Sequence, residues 1–197
     1  IKSPSISIGN IIEPEQAVVL RGPRLAAVIK QFFNEVIWPE LDFLIIDLPP
    51  GTGDVQLTLV QTVPVTGVVL VTTPQEVALA DAVKAMNMFL LPQINVPILG
   101  VVENMAWFTP AELPENKYFI FGQGGGKKLA LESNSVLLGQ VPLVQGIREG
   151  GDAGQPAVLL EGTPQSEAFL KVAQNVLRQV AVRNEMLAPS KVVGMGM

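Results

Sequence analysis

Short runs of unbroken apolar residues recur along this chain, and between them apolar residues return at three- and four-residue steps. Phe43-Leu44-Ile45-Ile46 is the first run, and it ends in Asp47. Gly67-Val68-Val69-Leu70-Val71-Thr72 is the second and Pro97-Ile98-Leu99-Gly100-Val101-Val102 the third. Val136-Leu137-Leu138-Gly139-Gln140-Val141 is a weaker fourth. A strand that is apolar at every position is covered on both faces, which marks a parallel sheet held between helices. The intervening periodicity supplies those helices. Leu25, Val28, Ile29, Phe32, Phe33 and Val36 share one helical face, opened by Gly22-Pro23 and closed by Trp38-Pro39. Thr73, Pro74 and Glu76 read as N-cap, first helical position and capping-box acid of another helix. Thr163-Pro164 opens the last long helix, with Phe169, Val172, Ala173, Val176, Leu177 and Val180 on one stripe. Strand and helix in alternation predict right-handed βαβ units and an α/β fold. Residues 6–12 read as a β-like stretch broken by Gly9-Asn10, and the segment from Pro189 lacks periodicity.

Composition narrows the chemistry. The 197 residues are 48% apolar and 16% charged, enough for a core and far from a disordered chain. The formal charge of −5 argues against a groove for a phosphate backbone, and therefore against nucleic acid as a partner. The chain has no cysteine and no histidine. Within it there are thus no disulfides, thiolate nucleophiles, zinc fingers, cysteine-ligated clusters or Ser-His-Asp triads. A metal would be a hard cation held by oxygens, which favours magnesium. The apolar runs are far shorter than the roughly 20 residues of a membrane-spanning helix, so no membrane partner is expected. The first residue is Ile1 rather than Met, which leads to the expectation that the chain is an internal or processed piece of a longer protein.

Ligands of open α/β sheets gather at the carboxyl ends of the strands. The first such end is Asp47-Leu48-Pro49-Pro50-Gly51-Thr52-Gly53-Asp54, with Asp54 placed to cap a helix over residues 55–63. An Asp beside a Gly-rich loop suits the water shell of Mg²⁺ and a γ-phosphate. The pattern fits equally a strand-terminating Asp before an ordinary Pro-Gly turn. Thr72-Thr73-Pro74 reads first as a helix cap. Asn104, after the third run, offers an amide donor and acceptor to an adenine edge, and taken alone reads first as a turn former. Val141-Pro142-Leu143 ends the fourth run, and Arg148-Glu149-Gly150-Gly151-Asp152 reads as a polar loop. Gly124-Gly125-Gly126-Lys127-Lys128 mimics a phosphate loop, but Phe121 and Lys128 stand where a Walker A motif needs Gly and Ser or Thr. It reads instead as a helix entry.

Residues 47–54, continued by Val55-Gln56-Leu57-Thr58, resemble the switch II signature of the Mrp/ApbC family of P-loop ATPases, relatives of MinD and ParA. Pro14-Glu15-Gln16-Ala17-Val18 with Arg21-Gly22-Pro23 is similar to the family segment before it. Gly100-Val101-Val102-Glu103-Asn104-Met105, Ile120-Phe121-Gly122, Gly139-Gln140-Val141-Pro142-Leu143 and residues 147–156 resemble its later landmarks. The resemblance runs from about residue 8 to about residue 182.

The resemblance implies a P-loop NTPase-like three-layer α/β sandwich with a mainly parallel sheet. Residues 1–188 would be the C-terminal two-thirds of one ATPase domain, followed by a flexible tail at 189–197. The first strands and the Walker A loop are not found in these residues and would lie upstream, so the chain alone is expected to be inactive. The resemblance implies ATP and Mg²⁺ as cofactors. Asp47 would hold the Mg²⁺ water shell, Gly51 would sense the γ-phosphate, Asn104 would contact adenine, and Pro142 and Leu143 would border the base pocket. It further implies a cytoplasmic homodimer that hydrolyses ATP in iron–sulfur cluster carrying or assembly, with apo iron–sulfur proteins or scaffold proteins as partners. The alternatives within the wider group are a ParA/MinD-like positioning ATPase and a catalytically silent scaffold. Many family members carry Cys-x-x-Cys after the Asn-Met element, and here those positions fall at about Pro110 and Leu113. The family role implies an iron–sulfur cluster, and this chain holds no thiolate to ligate one.

Overall fold

The computed structural model describes residues 4–10, 22–49 and 51–194. Residues 1–3, 11–21, Pro50 and residues 195–197 lie outside the described residues. With them fall the end of the β-like stretch, most of the segment preceding Gly22, and the end of the tail. The chain divides into two compact units. One is Val65–Ser190, and the other joins Ile1–Pro64 with Lys191–Met197.

In the second of these, the β-like stretch gives way to a single 3-10 turn at Ile8–Asn10. The Asn10 side chain accepts from the Ser7 N–H at 2.8 Å, a local bond that competes with strand pairing. Helix α1 is Gly22–Asn34, as the apolar spacing predicts. Its end is secured from beyond Asn34, where the Trp38 indole N–H donates to the Phe32 carbonyl at 2.9 Å. Helix α2 is Asp54–Thr62, with Leu59 and Val60 buried. Its N-cap is Gly53 rather than Asp54, and Asp54 is the first helical residue, where its charge opposes the positive end of the helix. The Val193 N–H donates to the Val60 carbonyl at 2.9 Å, so residues near the chain's end return to α2.

The run 43–46 does not form the strand that its composition predicts. All four side chains are exposed, Ile45 by 90%. A parallel strand exists through ladder bonds to its neighbours. Among the described residues, no strand pairs with 43–46.

The Val65–Ser190 unit carries the sheet. Strands β1 (Val68–Thr72), β2 (Ile98–Glu103) and β3 (Leu137–Gln140) pair in that order, both pairs parallel. Helices α3 (Glu76–Leu90), α4 (Gly125–Glu132), α5 (Gln145–Asp152) and α6 (Pro164–Met186) complete it. Alternation along the strands sorts side chains into two cores. Leu70, Val101 and Leu137 pack with Leu79 and Met86 of α3 and Leu129 and Ala130 of α4. Val69, Val102 and Leu138 pack with Phe169, Val172 and Val176 of α6 on the opposite face. This is a three-layer α/β/α arrangement. The predicted α6 stripe is narrower than its pattern, because Ala173 and Leu177 are exposed. Asn175 lies on the inner side instead, donating to the Leu138 carbonyl at 2.7 Å.

Three local readings change. α3 starts at Glu76 with Gln75 as its N-cap, and Thr73-Pro74 precedes it as a loop. Pro74 is packed against Gly125, where an added Cβ would meet its carbonyl oxygen at 2.9 Å, and this docking draws it away from the helix start. Arg148-Glu149-Gly150-Gly151-Asp152 is helical, within α5. Its glycines are poor helix formers, but the Gln145–Glu149 and Arg148–Asp152 pairs staple successive turns at 2.6 and 2.8 Å. Thr163, by contrast, caps α6 as its sequence predicts, accepting from the Ser166 N–H at 3.3 Å. Among the described residues, no helix is long and apolar enough to cross a membrane.

The sheet's close packing demands glycine at position 100. A Cβ there would lie 2.5 Å from Leu138 Cγ and 2.6 Å from the Val136 carbonyl oxygen, and the second contact is backbone that cannot rotate away. Gly100→Ala should therefore lower unfolding stability by about 1–3 kcal/mol in urea titrations. Gly151→Ala on α5, where nothing lies within 4 Å, should be neutral or stabilising by up to about 1 kcal/mol. Equal midpoints for the two variants would contradict this packing.

Candidate functional site

The carboxyl ends of β1, β2 and β3 lie side by side, and the loops leaving them are joined by backbone hydrogen bonds. The Asn104 N–H donates to the Thr72 carbonyl at 2.7 Å, tying the end of β2 to the end of β1. The Val141 N–H donates to the Glu103 carbonyl and the Ala106 N–H to the Val141 carbonyl, both at 2.9 Å. The Leu143 N–H donates to the Trp107 carbonyl at 2.7 Å. These bonds bring Asn104, Pro142 and Leu143 to one edge. Asn104 is half-buried, Pro142 buried and Leu143 half-buried. Asn104 Oδ1 accepts from the Met105 N–H at 3.0 Å, and Met105 adopts a left-handed φ of 53°. The Asn104 NH₂ makes no other bond among the described residues, so this edge presents a donor beside apolar Pro142 and Leu143.

A buried carboxyl underlies the edge. Glu103, 1% exposed, accepts from the Gly126 N–H and from Gln140 Nε2, both at 2.6 Å. The Gly126 amide belongs to the first turn of α4, whose unsatisfied N–H groups and dipole favour an acidic partner. Gly126 is thus a seat for Glu103: a Cβ on it would meet Glu103 Cβ at 2.7 Å. This explains why a Gly-Gly-Gly-Lys stretch without a Walker A pattern still opens a helix. Sequence reasoning passed over Glu103 and Gln140. The available signal was an acidic residue closing an otherwise apolar run.

Asp47 and Gly51 lie in the other unit, and each is described there. Asp47 is exposed, with no hydrogen bond to its carboxylate among the described residues. Gly51 has a φ of +100°, which favours glycine, and open space where a Cβ would stand. Gln56 of α2 was also passed over. It is 3% exposed, and its Nε2 donates to the carbonyls of Pro49 and Gly51, each at 2.9 Å.

The loop after the edge begins with Trp107, whose ring faces Lys117 Nζ at 4.2 Å. Phe108 and Tyr118 exchange backbone bonds of 2.8 Å each and close the loop at its base. Pro110 and Leu113, the positions aligned with the resembled Cys-x-x-Cys, are joined by a turn in which the Leu113 N–H donates to the Pro110 carbonyl at 3.1 Å. The turn brings the two positions close but supplies no thiolate. Among the described residues, no cluster of three or more acidic side chains could hold a metal. A separate cavity of about 370 Å³ opens between α3 and α4, lined by Leu79, Val83, Lys128 and Glu132 among others, and it contains none of these residues.

Parallel strands between helix layers, with polar groups gathered at the strands' carboxyl ends, define an α/β protein of the nucleotide-binding kind. The chain belongs to the ParA family in its NUBPL iron-transfer P-loop NTPase branch, whose sequence model matches residues 2–177. Relatives named iron–sulfur cluster carrier protein include one from Synechocystis, 49% identical over 183 residues, covering 93% of this chain and 50% of that protein. The Escherichia coli K12 protein is 43% identical over 184 residues, covering 92% and 48%. This chain thus spans about half the length of these curated relatives. Among solved structures, a nucleotide-binding protein from Archaeoglobus fulgidus in complex with ADP is 36% identical. It covers 72% of this chain and 56% of its own, with a TM-score of 0.60. The cell-division ATPase MinD from Pyrococcus furiosus, 24% identical with a TM-score of 0.52 over 80% of this chain and 59% of its own, shares the fold.

If Glu103 anchors the edge as its geometry indicates, Glu103→Ala leaves the buried Gly126 N–H unpaired, releases Gln140 and opens a void. The variant should lose about 2–5 kcal/mol of stability in urea titrations, a cost that a loss below about 1 kcal/mol would contradict.

Proposed function

We propose that this chain is the switch and base-binding portion of a nucleotide-dependent iron–sulfur cluster carrier, an ATPase whose phosphate cradle lies outside these residues. The observation that carries the reading is the meeting of Asn104, Pro142 and Leu143 at the carboxyl edge of a parallel sheet, in a chain of this family. The free Asn104 NH₂ suits a ring nitrogen of adenine, with Pro142 and Leu143 as apolar walls. The ADP bound by the Archaeoglobus relative supports a nucleotide at the homologous place.

Asp47 is the residue we assign to Mg²⁺, through the metal's water shell. Its exposed carboxylate, free of hydrogen bonds among the described residues, is a hard oxygen donor of the type magnesium takes singly, alongside phosphate and water. When bound, Mg²⁺ supplies neutralisation of phosphate charge in the transition state. Gly51 we assign to the γ-phosphate, because its open space admits an anion close to the backbone. The cluster is cargo in this reading. The chain offers carboxylates and no thiolate or imidazole, a donor set unsuited to a soft cluster, so ligands for the cargo come from outside these residues. The protein would work as a cytoplasmic homodimer delivering to apo iron–sulfur proteins or receiving from scaffold proteins.

Two variants of the full-length protein test the reading. Asp47→Asn should reduce Mg²⁺-dependent ATP hydrolysis by about 100-fold or more, measured as phosphate release; normal turnover would remove the Mg²⁺ assignment. Asn104→Ala should weaken ADP binding about tenfold in calorimetry and narrow the preference for adenine over guanine nucleotides. An unchanged Kd and preference would move the base elsewhere.

A further inference from the structure

Gln56 has a hydrogen-bonding balance unlike that of any other buried side chain described above. Both hydrogens of its amide are spent, on the carbonyls of Pro49 and Gly51. Its Oε1 is buried and has no partner among the described residues. The orientation follows from the partners, because two carbonyls can receive only from the NH₂. The backbone of residues 47–52 makes no hydrogen bond of its own among the described residues. Among the described residues, the loop that follows Asp47 is therefore held through one side chain, from the first turn of the next helix.

We propose that Gln56 is the positioning residue of this loop. It reaches back across the loop and holds the two carbonyls that flank position 50. In doing so it sets the left-handed Gly51 and the path of the chain from Asp47. A buried acceptor left unpaired makes this hold incomplete, so a loop shift that brings an N–H or O–H to Oε1 is favoured rather than opposed. Gln56 thus keeps the loop in one arrangement while leaving a second within reach. The functional part of this inference rests on the nucleotide reading above, since it assigns the loop to Mg²⁺ and γ-phosphate.

The test uses the full-length protein and two variants. Gln56→Met keeps the side chain's length and removes both donors. Gln56→Glu keeps its shape and leaves at most one donor, the O–H of a protonated carboxyl, for two carbonyls. Without nucleotide, the NMR order parameters of the backbone amides at residues 51–53 should fall below about 0.6 in both, while amides of α2 around Leu59 and Val60 keep values near 0.85. With ATP and Mg²⁺, kcat should fall about tenfold or more while the nucleotide Kd stays within about twofold, a split that general loosening of the fold would not produce. Unchanged order parameters at 51–53, or equal losses at 51–53 and in α2 in both variants, overturns the proposal. Should the methionine variant alone lose order in α2, the glutamate variant decides by the same criteria. A wild-type protein that binds no nucleotide defeats the reading in the preceding subsection, while the relaxation experiment without nucleotide still decides the positioning role.

Discussion

The carboxyl edge of the sheet is built on one buried acid. Glu103 ends β2 and is almost completely enclosed, so its oxygens need donors from the protein itself. The Gly126 amide at the start of α4 and the Gln140 side chain at the end of β3 provide them. One carboxyl thereby fixes a helix and a neighbouring strand relative to β2. Glycine at position 126 follows from this, because the backbone must approach Glu103 more closely than a Cβ permits. The backbone bonds from Glu103 to Val141, and from Val141 to Ala106, continue the same registry beyond the strands. The proposed adenine edge is thus an extension of the sheet rather than a free loop.

The tripled glycine and the loop at 107–118 draw the eye in a sequence, and both change meaning in the folded chain. Gly126 seats the protein's own carboxyl, and Gly125 packs against Pro74 and Leu79. The loop is closed by Phe108 and Tyr118, and its internal turn joins Pro110 to Leu113. The turn therefore has the spacing of a two-ligand corner while presenting a pyrrolidine ring and an isobutyl group. A chain with neither cysteine nor histidine leaves only oxygen chemistry for metals, which suits magnesium on phosphate and does not suit an iron–sulfur cluster.

The three strands of the sheet and the helices with strong apolar spacing were legible because burial on two faces leaves a continuous apolar run and burial on one leaves a stripe. β1, β2 and β3 each fall within a predicted run, and α1 and α6 start where their opening residues place them. The run at 43–46 has the same composition and forms no strand, because apolar residues state a preference for burial while a ladder needs a partner backbone. The start of α3 shifted for a tertiary reason, the docking of Pro74 against Gly125, which no local pattern encodes. α5 was misread because glycine content signals a loop, whereas pairs such as Arg148 with Asp152 act only once the helix exists. At the site, the family resemblance named Asn104, Pro142 and Leu143, each just past an apolar run, and the structure sets them on one edge. Gln56 and Glu103 escaped because their importance lies in backbone groups they touch, and a sequence does not display backbone partners.

These two side chains divide rigidity and motion between them. Glu103 is a satisfied group: its bonds go to a helix amide and a strand side chain, both in well-packed elements, and breaking either strands a buried polar atom. Gln56 is half-satisfied, holding a loop that has no backbone bonds of its own among the described residues. A ligand that must be recognised in the same way in every state, such as a base, is best met by the first kind of support. A phosphate that appears and disappears is best met by the second, since the energy separating two loop arrangements must be small enough for its binding to reverse. Asn104 next to Glu103, and Asp47 in the loop held by Gln56, fall on the two sides of that division.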